Sequence, residues 1–184
     1  MFEYARAAGL QMLGGRDITI EHNRHQVRGH FWAADAAAGD PDSASKPSAF
    51  SSVKTIVILP GFTEFCEKYA AEFLRFRQMG FNVLAIDWPG QGRSVHFGYH
   101  WLAVHCTDFD DHLQALDRLI ETVGLGSQPI TLFGHSMGGH LALRYAAWRA
   151  DLVQGVILSA PMMAPPVMPV WLIRLAATPL ARLV

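Results

Sequence analysis

Along this chain, short runs that are apolar throughout give way in turn to stretches where apolar residues recur every three or four positions. Asp17 to Glu21 and Val27 to Trp32 read as short strands joined in a hairpin. Val53 to Leu59 (VKTIVIL) is rich in β-branched residues, ends at Pro60-Gly61, and predicts a buried strand. From Glu64 to Met79 the spacing becomes helical: Phe65, Tyr69, Phe73 and Phe76 share a face, and Gly80 stops the run. Asn82 to Asp87 (NVLAID) predicts another buried strand. Asp108 to Val123 predicts a helix with Phe109, Leu113, Leu116 and Ile120 on one stripe. Pro129 to Phe133 then reads as a strand, Met137 to Arg149 as a helix, and Gly155 to Ala160 (GVILSA) as a last strand.

Apolar strands alternating with helices imply the α/β class, a mostly parallel sheet with helices on both faces. In such sheets the working residues gather at the carboxyl ends of the strands. Three turns fall there: Pro60-Gly61-Phe62, Asp87 to Ser94, and Gly134-His135-Ser136-Met137-Gly138. The Ala-, Ser-, Pro- and Asp-rich segment from Ala33 to Ser52 has no apolar period and reads as a flexible loop between two strands. Too little chain precedes it to build a separate core, so residues 1–184 read as a single domain.

Composition narrows the function classes. The chain is 51% apolar and 17% charged, which suits a packed core over disorder. Fifteen Lys and Arg against sixteen Asp and Glu give a net charge of -1, which excludes a basic field for gripping nucleic acid. Cys66 and Cys106 fit neither a disulfide framework nor a zinc motif, and no H-E-x-x-H occurs, so neither metal nor cofactor is expected. The first fifteen residues carry Glu3 and Arg6 and lack a continuous apolar run. The uncharged stretch from Ala160 to Ile173 holds Pro161, Pro165, Pro166 and Pro169, and it falls short of the ~20 residues that span a bilayer. A cytoplasmic protein is expected, with peripheral contact at the inner membrane left open.

Gly134 to Gly138 fits G-x-S-x-G and lies between an apolar strand and a helix, the context that motif requires. A serine hydroxyl needs a base to take its proton, so it must stand clear of the sheet. A tight strand-to-helix turn presents Ser136 in that way, and the glycines permit backbone crossings that a Cβ would block. The helix that follows aims free N–H groups and its positive dipole end at the reacting oxygen. The turn at Pro60-Gly61-Phe62 reads equally as an ordinary strand end and as half of an oxyanion hole, with the Met137 N–H as the other half. Asp87 to Ser94 contains a G-x-G but lacks the third glycine of a dinucleotide fingerprint, and it reads as a structural loop.

The strings LPGFTEFCEKYAAEF (Leu59 to Phe73), GFNVLAIDWPGQGRS, FDDH, LFGHSMGGHLALRYA and GVILSAPMM occur in that order. Together they resemble the α/β-hydrolase fold in its serine aminopeptidase-like branch, which includes bacterial lysophospholipases and monoacylglycerol lipases. The resemblance covers Val53 to Met163. It implies that Ser136 is the nucleophile and that the N–H groups of Phe62 and Met137 form the oxyanion hole. Many members carry His-Gly where this chain has Pro60-Gly61, and the Pro-Gly form is similar to bacterial lysophospholipase variants. The implied substrate is a small-molecule or lipid ester, cleaved through an acyl-enzyme.

The triad of this family runs in the chain order Ser, acid, His. Of the 48 residues after Ser136 (184 − 136), one is an acid, Asp151, and one a histidine, His140. His140 lies on the nucleophile's own helix and points along or away from it, and Asp151 reads as a surface or capping residue. His96, His100 and His105 cluster with Tyr99 and Trp101 and read as solvated or packed side chains. The acid and base are therefore expected beyond Val184, with Pro165 to Val184 resembling the start of a lid and Gly155 to Ala160 left as an apolar sheet edge. The chain reads as the amino-terminal part of a longer enzyme and is expected to be poorly soluble by itself. Two alternatives stay open: a peptidase or amidase of the same branch, and a non-catalytic binding protein that keeps the sheet without the triad.

Overall fold

A computed structural model describes residues 14–23, 25–34, 53–96 and 108–163. The elements in chain order are β1 (Arg16–His22), β2 (His25–Trp32), β3 (Thr55–Leu59), a 3-10 turn (Cys66–Tyr69), α1 (Ala70–Gln78), β4 (Asn82–Ile86) and β5 (Val95–His96). There follow α2 (Phe109–Thr122), β6 (Ile130–His135), α3 (Met137–Trp148) and β7 (Val153–Ser159). The strands form one sheet in the order β1-β2-β4-β3-β6-β7, with β5 beside β2. The stretch from β4 to β7 is parallel, while β1, β2 and β5 add antiparallel pairings at one end. The expected α/β class with a mostly parallel sheet is therefore the observed architecture.

The core divides by strand parity. Side chains of a strand point alternately to the two faces. Val57, Leu59, Leu84, Ile86 and Leu132 face one side and pack on Leu113, Leu116 and Ile120 of α2 and on Leu141 and Tyr145 of α3. Ile56, Ile58, Val83 and Ala85 face the other side, under Cys66, Tyr69 and Phe73. Both β3 and β4 are buried along their whole length, which explains why they read as continuous apolar runs. Helix α2 is capped by the Asp108 carboxylate, which accepts the Asp110 N–H at 3.0 Å.

Two features depart from the sequence reading. The single helix expected over 64–79 is split, because Phe65 is extended (φ -151°) and the chain winds as a 3-10 turn before α1 begins. The cause is tertiary: the Cys66 N–H donates to the Asp87 carboxylate at 2.7 Å, and Lys68 closes an i→i+3 bond to the Phe65 carbonyl. The short strand β5, two residues long, was not expected; it pairs with the start of β2. The loop read from Ala33 to Ser52 lies, beyond its first two residues, outside the described residues up to Ser52, and so does the stretch from Pro165 to Val184.

Candidate active site

Strand β6 ends at His135, helix α3 begins at Met137, and Ser136 alone makes the turn. Its backbone lies at φ 50°, ψ -117°, a conformation that costs a residue with a Cβ of order 1–3 kcal/mol. Hydrogen bonds on both sides hold it there. The Ser136 N–H donates to the Ser159 carbonyl of β7 at 3.0 Å. Its carbonyl accepts from the N–H groups of Met162, Gly139 and His140 at 2.8, 3.0 and 3.2 Å. The glycines leave the space this crossing needs: a Cβ on Gly138 would lie 1.9 Å from the Leu59 carbonyl oxygen, and one on Gly134 would lie 2.6 Å from the Gly138 carbonyl oxygen. The start of α3 is thus pressed against the carboxyl end of β3.

The turn after β3 lies beside the serine. A Cβ on Gly61 would come within 3.3 Å of the Ser136 Cβ. Most N–H groups of this turn are tied. The Gly61 N–H donates to Glu64 Oε2 at 2.7 Å, and the Glu64 N–H to the Gly61 carbonyl at 3.3 Å. The Thr63 N–H donates to Gln91 Oε1, and the Trp88 indole N–H to the Pro60 carbonyl at 2.8 Å. Among the described residues, the N–H groups of Phe62 and Met137 have no protein acceptor. The structure thus leaves free the two donors that the sequence singled out, on turns that meet at Ser136. Burial works against ionisation of Glu64, but hydrogen bonds from Tyr69 (2.5 Å), Lys68 (2.9 Å) and Gly61 outweigh it and hold the carboxyl below its usual range.

Sequence reasoning missed a buried charge cluster behind this turn. Arg28 Nη1 lies 3.0 Å from Asp87 Oδ2 and 3.0 and 3.2 Å from the two Glu67 oxygens, and Arg28 Nη2 lies 2.8 Å from Asp17. Arg93 closes the cluster on Glu67 at 3.2 Å. Asp87 also accepts the N–H groups of Cys66 and Arg93, at 2.7 and 2.9 Å. A Cβ on Gly92 would sit 2.4 Å from the Asp87 carboxyl carbon, so the glycine lets the loop close over this anion. The G-x-G loop thus encloses a carboxylate, in line with the structural reading of Asp87 to Ser94. Burial and the adjacent Asp87 push the Cys66 thiol well up, so it stays a neutral thiol and is no nucleophile. The available signal was Arg28 set between Val27 and Gly29 in a short strand, together with an acid directly after β4.

The remaining candidates fall elsewhere. His140 packs its ring against Phe109 of α2, with centroids 5.5 Å apart, and makes no side-chain hydrogen bond to Ser136. His135 Nδ1 lies 3.2 Å from the Ser159 hydroxyl. Asp151 is exposed in the turn after α3 and pairs with Arg149 at 3.3 Å, matching the surface reading. His100, His105, Tyr99, Trp101 and Cys106 lie outside the described residues. Among the described residues, no group of three or more His, Cys, Asp or Glu could hold a metal ion, and no helix is long and apolar enough to cross a membrane.

Comparison with known proteins gives this geometry a context. The family model described as serine aminopeptidase, S33 matches residues 51–184. Phospholipase YtpA of Bacillus subtilis (strain 168) is 31% identical over 110 residues, which is 59% of this chain and 40% of that protein. The crystal structure of Paleococcus ferrophilus monoacylglycerol lipase superposes with a TM-score of 0.54 at 33% identity, over 67% of this chain and 45% of that one. A thioesterase domain from the curacin biosynthetic pathway superposes with a TM-score of 0.66 at 22% identity, over 90% of this chain and 52% of that one. The matched parts thus span about half or less of these relatives.

Proposed function

Since the chain belongs to the serine aminopeptidase, S33 family, within the α/β-hydrolases, we propose that it is a serine hydrolase that cleaves carboxylic esters of lipids through an acyl-enzyme. The observation that carries the reading is Ser136 at a positive φ between β6 and α3, flanked by two N–H donors without protein acceptors. Ser136 Oγ attacks the ester carbonyl, and the oxygen that takes up the electron pair lies between the N–H groups of Phe62 and Met137. The alcohol leaves with a proton, and water then hydrolyses the acyl-enzyme to free acid and regenerated serine. A base that accepts the serine proton and an acid that orients that base complete the cycle, in the family's chain order Ser, acid, His.

The lipid preference rests on the surroundings of Ser136. Phe62 is 57% exposed and Met163 is 72% exposed, and both stand on segments bonded to or touching the serine turn. Apolar side chains beside a nucleophile suit an acyl chain, and they also suit peripheral contact of a cytoplasmic protein with a lipid surface. The named activities of the Bacillus phospholipase and the Paleococcus lipase lie in the same direction.

The test uses the full-length protein. Wild type is expected to hydrolyse monoacylglycerol and lysophospholipid and to be labelled at Ser136 by a fluorophosphonate. Ser136→Ala is expected to abolish labelling and turnover while substrate binding survives. Undiminished turnover by that variant refutes the nucleophile assignment. Cleavage of aminoacyl amides in preference to esters replaces the lipase reading by the peptidase one. Binding without turnover in wild type leaves the non-catalytic reading.

A further inference from the structure

Gln91 is 2% exposed and holds one end of the turn that carries the Phe62 N–H. Thr63 sits at φ 62°, the left-handed region that a β-branched residue rarely adopts. Its N–H is accepted by Gln91 Oε1. Gln91 is itself fixed through its main chain, its N–H donating to the Trp88 carbonyl at 2.8 Å and its carbonyl accepting the Ser94 N–H at 2.9 Å. Trp88, from the same loop, grips the Pro60 carbonyl at 2.8 Å. The loop that follows β4 therefore clamps the turn at Pro60 and at Thr63, on either side of Gly61 and Phe62. Gln91 Nε2 is buried with no hydrogen-bond partner, so the side chain is kept at the cost of a desolvated donor.

We propose that Gln91 is a positioning residue: by accepting the Thr63 N–H it holds the strained turn so that the Phe62 N–H points at the developing oxyanion of the Ser136 reaction. The inference rests on the proposed hydrolase function. A role in stability alone leaves the choice of glutamine unexplained. An apolar side chain of the same length fills the same volume without burying an unpaired N–H, whereas only an acceptor can restrain Thr63.

The experiment compares Gln91→Met with wild type in the full-length protein. Methionine matches the glutamine in length, removes the acceptor, and also removes the unpaired donor. A melting temperature close to wild type is expected. A released donor is expected to lower kcat by about ten- to a hundredfold with KM changed less than about twofold, because oxyanion donors act in the transition state. The rate of Ser136 labelling by a fluorophosphonate falls in the same ratio, since the phosphoryl oxygen uses the same donors. Gln91→Ala is expected to show the same kcat defect with a lower melting temperature, which separates cavity formation from lost positioning. If Gln91→Met matches wild type in kcat and labelling rate, the proposal is overturned while the hydrolase reading stands. If wild type itself is never labelled at Ser136, the hydrolase reading fails first. A rise in KM with kcat unchanged also overturns the proposal, since it moves Gln91 from the oxyanion turn to substrate binding.

Discussion

The contact between Gly138 and the end of β3 gives the most direct test of how the serine turn is built. In Gly138→Ala the new Cβ would lie 1.9 Å from the Leu59 carbonyl oxygen and 2.5 Å from the Pro60 carbonyl oxygen. An ordinary contact needs ~3.5 Å, so the first of these is short by about 1.5 Å. Both obstacles are backbone, and neither can swing aside as a side-chain tip would. Helix α3 must lift off β3, or β3 must bend. Overpacking of this kind costs about 3 kcal/mol, at the upper end of its usual range, while alanine regains about 1 kcal/mol of helix propensity over glycine. The net loss of about 2 kcal/mol corresponds to a fall of roughly 4–8 °C in melting temperature for a chain of this size. The chemical effect is expected to be larger. Lifting α3 moves the Met137 N–H and Ser136 away from the Phe62 N–H, and a displacement of ~1 Å at such a site costs on the order of a hundredfold in rate. The assay pairs a thermal melt with the rate of fluorophosphonate labelling of the full-length protein. Gly155→Ala is the control, because its Cβ would meet only Thr131 side-chain atoms at 3.6 and 3.7 Å, and it is expected to stay within about 0.5 kcal/mol of wild type. A Gly138→Ala protein that melts and labels like wild type refutes the account of the turn.

Two further outcomes follow from the charges behind the site. Asp87→Ala leaves Arg28 buried beside Glu67 without its innermost partner, and the expected loss is about 3–5 kcal/mol in urea denaturation; a loss below about 1 kcal/mol contradicts the cluster's role. For acid stability, burial opposes ionisation of both Glu64 and Asp17, but the bonds to Tyr69, Lys68 and Gly61, and to Arg28 and His30, depress both carboxyls in the folded state. Their stabilisation is complete above the unfolded carboxylate range of ~4 and is lost as pH falls through the lower folded values. The melting temperature is therefore expected to fall below about pH 4, and to fall less steeply in Glu64→Gln; identical slopes for the two proteins contradict the assignment.

What the sequence made legible is local. The strands β3 and β4 announced themselves because both their faces are buried, and α2 because one stripe of it is. Ser136 was legible because a serine between glycines at a strand-to-helix junction is a demand of backbone geometry. The break at Cys66 was not legible, since the acceptor that draws its N–H out of the helical pattern is Asp87, at the end of the next strand. Nor was the charge cluster, in which Arg28 reaches partners 11 to 59 positions away in sequence.

The same distinction explains why the turn at Pro60-Gly61-Phe62 read ambiguously as a turn and as a site. Pro60-Gly61-Phe62 carries no side chain that declares chemistry, and a main-chain N–H is present at nearly every residue. What sets the Phe62 N–H apart is that the N–H groups of its neighbours are all claimed, Gly61 and Glu64 by each other and Thr63 by Gln91, while Trp88 holds the Pro60 carbonyl. Those claims come from a loop some thirty residues further on (Trp88 follows Pro60 by 88 − 60 = 28 positions), and the surface they prepare is completed by α3, whose first turn rests on the same Leu59 and Pro60 carbonyls. Three segments that are far apart in the chain thus converge on one carboxyl end of the sheet. The donor pair is a product of that convergence, so a change in any of the three, Gln91, Gly138 or Phe62 itself, is expected to reach Ser136 through the backbone without altering a single reacting side chain.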